Sequence, residues 1–241
     1  MELSGKTFLI TGSARRLGRE MALSLASAGA DIVIHHFHSS VQAEEVAASI
    51  RSLGRKTCIL QADLAETSAA SQLIARAWEF APLSGVVNNA AVFYKEDWFE
   101  TSIETWQETL AVNLTAPFLI SQSFARQLSE MEFGHIVNIL DWRALRPKED
   151  HLAYTVSKSA LAALTLSLAQ AFANHIAVNA LALGAVMPPE GEPAEPDLLQ
   201  KVPLKRWAKL NELSSAVQYF LTTPPDITGT VLHLDGGRHL N

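Results

Sequence analysis

Tyr154 and Lys158 stand four residues apart in HLAYTVSK, at the start of an apolar helical pattern. Four residues make about one helical turn, roughly 6 Å of rise, so both side chains share one face. An ammonium beside a phenol favours the phenolate and lowers its pKa from about 10. That would make Tyr154 a usable proton donor near neutrality. Y-x-x-x-K occurs often by chance, and its weight comes from the residues around it. Asn88-Asn89-Ala90-Ala91 and Ala62-Asp63-Leu64 each follow an apolar run. Such positions, at the carboxyl ends of strands, border the ligand crevice of α/β proteins. An Asn pair there is also ordinary turn chemistry.

A second group of residues suits phosphate. The first apolar run leads into Thr11-Gly12-Ser13-Ala14-Arg15-Arg16-Leu17-Gly18 and then a helix. A glycine turn between strand and helix lets backbone N–H groups approach a pyrophosphate. Gly12, Arg15, Arg16, Leu17 and Gly18 are therefore candidate cofactor contacts, with Asp63, Leu64, Asn89 and Ala90 facing the same crevice. Sites that prefer NAD place an acid after the second strand to bind the ribose 2′-hydroxyl. Here that segment reads Ile34-His35-His36-Phe37-His38-Ser39-Ser40, with no acid before Glu44. A 2′-phosphate would meet no repulsion, and His38, Ser39 and Ser40 offer donors, with charge from Arg15 or Arg16. NADP, as NADPH, is the expected cofactor. A KM for NADH no higher than that for NADPH would overturn this expectation.

The elements that must position these groups are legible as alternating runs. Thr7–Ile10, Asp31–His35, Lys56–Gln61, Gly85–Asn88, His135–Leu140, Ile176–Leu183 and Val231–Leu234 read as strands, and helical patterns such as Gln42–Leu53 lie between them. This alternation predicts an α/β fold, a Rossmann-type doubly wound parallel sheet of about seven strands with helices on both faces. One series fills residues 1–241, so a single domain is expected. Five of the ten prolines fall between Pro188 and Pro203. That density excludes a regular helix or central strand and reads as a substrate lid near 185–204.

Composition excludes several classes. With 19 basic and 25 acidic side chains the net charge is −6, which argues against nucleic-acid binding. One cysteine, Cys58, leaves no intramolecular disulfide, and the first residues carry no signal-peptide pattern. A cytoplasmic protein is expected. Ser159–Pro189 contains no Asp, Glu, Lys or Arg, but Thr165, Ser167, Gln170, Asn174, His175 and Asn179 interrupt it. A buried helix followed by a buried strand explains these residues better than a membrane span.

The glycine turn, Asn88-Asn89-Ala90, Asn113 in Val112-Asn113-Leu114, Tyr154 with Lys158, and Asp235-Gly236-Gly237 occur in the order of the short-chain dehydrogenase/reductase family, which the chain resembles along its whole length. The resemblance implies that Tyr154 is the catalytic acid, that Lys158 also holds the nicotinamide ribose, and that Asn113 kinks a helix and positions a relay water. It places Gly184 at the cofactor and implies a homotetramer. Two departures stand out: Arg16 replaces the middle glycine of the turn, and Asp141 replaces the usual catalytic serine. A carboxylate would repel the oxyanion of a reacting ketone but suits a substrate with N–H donors. Both departures resemble the pteridine reductase branch, which also has an aromatic after Asn-Asn-Ala, here Phe93, able to stack a flat pterin. The ending DGGRHL looks like that of dihydromonapterin reductases. The expected activity is NADPH-dependent reduction of a pterin C=N bond, with Arg16, Phe93, Asp141 and Tyr154 at the substrate. A carbonyl reductase such as a 3-oxoacyl-thioester reductase, and a non-catalytic NADP-sensing protein, remain as alternatives.

Overall fold

Runs of Val, Ile and Leu suit a pleated surface covered on both sides, and here they form a parallel sheet. A computed structural model describes residues 3–129, 132–188 and 197–241. Among them the strands are β1 (Thr7–Ile10), β2 (Asp31–His36), β3 (Thr57–Gln61), β4 (Gly85–Asn88), β5 (Gly134–Asp141), β6 (Ile176–Leu183) and β7 (Val231–Leu234). The helices are α1 (Arg16–Ser27), α2 (Ser40–Ser52), α3 (Thr67–Phe80), α4 (Ile103–Leu110), α5 (Ala116–Gln127), α6 (Leu152–Ala171) and α7 (Leu210–Thr222). Each strand agrees with its expected run to within one residue at either end. Helix α2 begins two residues before the periodic pattern that announced it.

The strand order is β3-β2-β1-β4-β5-β6-β7, all parallel. Because side chains alternate across a strand, Phe8, Ile10, Ile32 and Ile34 face one helical layer, while Leu9, Val33, Val86 and Ile136 face the other. The chain reverses its direction of winding between β1 and β4. Strand ends splay apart at such a switch point and leave a crevice.

The uncharged stretch resolves as expected into a helix and a strand. Helix α6 is long and apolar enough to cross a membrane by composition, but half of it is buried against protein. Its Thr165 accepts a hydrogen bond from Asn138 at 2.9 Å and donates to the Leu161 carbonyl at 2.8 Å. Asn138 in turn accepts from Asn88 at 2.8 Å, so a buried polar chain links β4, β5 and α6 beneath the crevice. Groups so paired avoid the cost of burial without a partner. Of the expected lid, residues 189–196 lie outside the described residues; Leu198–Lys201 forms a short 3-10 turn.

Candidate active site

The glycine turn is shaped by contacts that exclude a side chain. A Cβ on Gly18 would lie 2.2 Å from the Gly12 carbonyl oxygen, and Gly12 itself has φ +63° with Ala90 Cα 3.1 Å from where a Cβ would be. The turn is then tied down from three sides. Asn89 Nδ2 donates to the carbonyls of Thr11 and Gly12 at 2.8 and 3.2 Å. The Thr11 hydroxyl accepts the N–H groups of Asn89 and Ala90. The Gly12 N–H donates to His35 Nδ1 at 3.0 Å, and His35 Nε2 lies 3.1 Å from the Ala62 carbonyl. This requires a neutral imidazole with its proton on Nε2, and burial pushes the His35 pKa down to about 4.

Arg16 occupies φ +51°, the left-handed region that favours glycine. Its guanidinium donates to the Pro188 carbonyl at 2.8 Å, joining the turn to the first residue of the proline-rich segment. Helix α1 has no acid in its first turn, so its N-terminal N–H groups and dipole are open to an anion. Gly18→Ala should therefore damage the cradle directly. Overpacking of this kind costs about 1–3 kcal/mol, so NADPH affinity should fall roughly tenfold to a hundredfold. A fluorescence titration of bound NADPH tests this, and an unchanged dissociation constant would contradict it.

A cavity of about 510 Å³ opens here, lined by Gly12, Arg15, Arg16, Leu17, Gly18, Asp63, Leu64, Asn89 and Ala90, together with His35, Phe37, Val92, Glu108 and Val112 among others. The first nine were expected from sequence. His38, Ser39 and Ser40 are not among its lining residues: Phe37 is, while Ser39 is the N-cap of α2 and Ser40 its first residue. Nor does Gly184, whose absent side chain has a different cause, since a Cβ there would lie 2.6 Å from Asp235 Cα. Sequence reasoning missed His35, although a histidine inside an otherwise apolar strand was a usable signal.

The second cluster sits where β5 ends and α6 begins. Asp141, the last residue of β5, accepts the Arg143 N–H at 2.9 Å and lies 3.7 Å from its guanidinium. Arg143 also pairs with Asp150 at 2.8 Å. The Asp141 carboxylate lies close enough to the Tyr154 phenol for its charge to act on it. Lys158 is buried, donates to the Ile139 carbonyl at 2.8 Å, and stands 5.7 Å from the centre of the Tyr154 ring. One turn of α6 thus brings Tyr154 and Lys158 together as the spacing predicted.

The electrostatics differ from the expectation. Burial pushes the Lys158 pKa down to about 8. Tyr154 is not lowered but raised, first by removal of water and then by the Asp141 charge. Asp141 is itself raised, chiefly by burial, against the pull of Arg143, Lys158 and Arg238. Lys158 directs its ammonium to a backbone carbonyl, and burial, with the Asp141 charge second, sets the phenol's pKa.

Asn113 lies in a π-helical turn, Ala111–Thr115, between α4 and α5, the kink expected of it. Its amide bridges the Val92 backbone, donating to the carbonyl at 3.0 Å and accepting the N–H at 2.9 Å, and donates to Ser157 at 3.1 Å. Phe93 is 48% exposed. One face of its ring stacks on His151 at 4.3 Å, and the ring meets Tyr154 edge-on at 4.6 Å.

Comparison with known proteins agrees with this geometry. A family model described as short chain dehydrogenase matches residues 6–197. A 2-dehydro-3-deoxy-D-gluconate 5-dehydrogenase of Dickeya dadantii is 32% identical, over 98% of this chain and 96% of its own. A 3-oxoacyl-[acyl-carrier-protein] reductase of Synechocystis sp. is 29% identical, over 98% of this chain and 97% of its own. Among solved structures, FolM alternative dihydrofolate reductase 1 from Brucella canis, complexed with NADP, superposes with a TM-score of 0.91. It is 34% identical, over 100% of this chain and 97% of that one.

Proposed function

Because the chain belongs to the short chain dehydrogenase family, we propose that it is an NADPH-dependent reductase of dihydropterin-type substrates. The observation that carries this reading is the Asp141 carboxylate at the end of β5, which caps the Trp142–Ala144 turn and whose charge acts on the Tyr154 phenol where a ketone reductase would present a neutral donor. The glycine cradle, the acid-free first turn of α1 and the adjacent Arg15 and Arg16 suit the phosphates of NADP, and no acid lines the cavity at the end of β2. Similarity to the NADP complex of Brucella canis supports the same cofactor. Bound there, NADPH supplies a hydride to a C=N carbon of the substrate.

The chain's own groups do the rest. Asp141 accepts N–H bonds from the pterin edge and so fixes its orientation. Tyr154 passes its proton to the ring nitrogen. Lys158 holds the nicotinamide ribose, and its charge favours the phenolate left behind. The exposed part of Phe93 gives a flat ring a surface to lie on. Asn113 keeps the π-turn and the Val92 backbone in place below the substrate. A cytoplasmic homotetramer is part of the proposal.

Lys158 must keep its proton for these roles, and its charge is lost as pH rises through about 8. The free enzyme's groups govern kcat/KM. The profile of kcat/KM for NADPH should therefore fall above about pH 8. A profile flat to pH 10 would exclude this role.

NADPH oxidation assayed across biopterin, dihydrobiopterin, dihydromonapterin, dihydrofolate and acetoacetyl thioesters tests the substrate class. Turnover confined to the thioesters would replace the pterin reading with carbonyl reduction. One observation favours that second reading: the chain is 29% identical over 98% of its length to a 3-oxoacyl-[acyl-carrier-protein] reductase. Tight NADPH binding without turnover of any substrate would mark a sensing protein instead.

A further inference from the structure

The Asp235-Gly236-Gly237 ending builds a turn that brings the tail back to the site. Gly236 and Gly237 have φ +63° and +86°, and a Cβ on Gly236 would lie 2.7 Å from Val202 Cγ1. The Asp235 carboxylate accepts the Gly237 and His239 N–H groups at 2.9 and 2.8 Å, and His239 Nδ1 at 2.8 Å. The short turn Arg238–Leu240 is thereby laid against Trp142–Ala144, the segment that directly follows Asp141. Arg238 is 8% exposed and Trp142 5%. The Arg238 guanidinium carbon lies 4.2 Å from the centre of the Trp142 ring, and that of Arg143 lies 4.9 Å from it.

An arginine is costly to bury unless its charge meets an aromatic face or an acid. Here it meets the ring next to Asp141. We propose that Arg238 is a positioning residue for Asp141, clamping the Trp142 ring and adding a positive charge to the surroundings of the carboxylate. The inference rests on Asp141 meeting the substrate, as read above. The groups facing Asp141 are Arg143 on its own segment, Tyr154 and Lys158 on α6, and Arg238 on the tail. Asp150 faces Arg143 rather than Asp141. Arg238 is among the cations that hold the Asp141 pKa down, so its loss lets that pKa rise.

The test is a double-mutant cycle in the full-length enzyme, with R238Q and R238K made in the parent and in D141N. Using whichever substrate the panel identifies, R238Q should lower kcat/KM about tenfold in the parent, with an NADPH dissociation constant within about twofold. The limb of the pH profile that reports Asp141 should move to higher pH, and R238K, which keeps the charge, should restore most of its position. In D141N, R238Q should add less than about a twofold loss. Equal losses in both backgrounds, or a pH limb that does not move, would reduce Arg238 to a structural role and overturn the proposal. If R238Q does not fold, the cycle with R238K decides: a parent-like rate with the limb in place supports it, and losses equal in D141N overturn it. Failure of the pterin reading shows separately, as absence of pterin turnover by the parent enzyme.

Discussion

Tyr154→Phe is expected to lower kcat for substrate reduction by roughly 10²–10⁴-fold while leaving NADPH affinity nearly intact. The substitution removes one oxygen and keeps the ring, so the edge-on contact with Phe93 at 4.6 Å survives. Lys158 still has its bond to the Ile139 carbonyl, which does not involve the phenol. The glycine cradle lies on another part of the crevice and is untouched. What disappears is the phenol oxygen on which the Asp141 charge acts. Steady-state kinetics together with an NADPH titration check the split. Retention of more than about a tenth of the parent rate would mean that the proton reaches the substrate from elsewhere, and would remove Tyr154 from its role.

The phenol also shows where a sequence is informative and where it is not. The strands were legible because apolar runs buried on both faces need only short-range pattern, and each was placed within one residue at its ends. The cradle was legible because glycine at 12 and 18 answers to local crowding. The sign of the Tyr154 pKa was not. Helical spacing placed Lys158 near the ring, yet the pKa is governed by burial and by Asp141, thirteen positions away in sequence and on a different element. Proximity along a helix says nothing about what water is excluded. His35 escaped for a similar reason: its two ring nitrogens reach the Gly12 N–H and the Ala62 carbonyl only once β1, β2 and β3 are in register. His38, Ser39 and Ser40, expected to meet a 2′-phosphate, stand at the start of α2, with Ser39 as its N-cap, and not among the residues lining the cavity. Arg238 depends on a turn that returns the end of the chain to its middle.

Asp141→Ser should separate substrate chemistry from cofactor binding. A serine hydroxyl can still accept the Arg143 N–H and so preserve the cap of the short 3-10 turn at Trp142–Ala144. Local structure therefore survives, and the NADPH dissociation constant should change by less than about threefold. The electrostatics do not survive. A buried charge that accepts N–H bonds becomes a neutral group that donates one. Pterin reduction should fall about 10²–10³-fold, the scale measured when one preorganised hydrogen-bonding group is removed from a reacting centre. Reduction of an acetoacetyl thioester should rise, because the repulsion of a developing oxyanion is gone. The Tyr154 phenol loses the Asp141 charge, so its pKa should fall toward the usual range and leave only burial to hold it up. A phenol titrated by ultraviolet absorbance in the variant and in the parent would report that fall. Equal losses in NADPH binding and in reduction would make Asp141 a structural residue. A variant that still reduced pterins at the parent rate would show that the carboxylate never touched the substrate, and with it the pterin assignment would lose its main support.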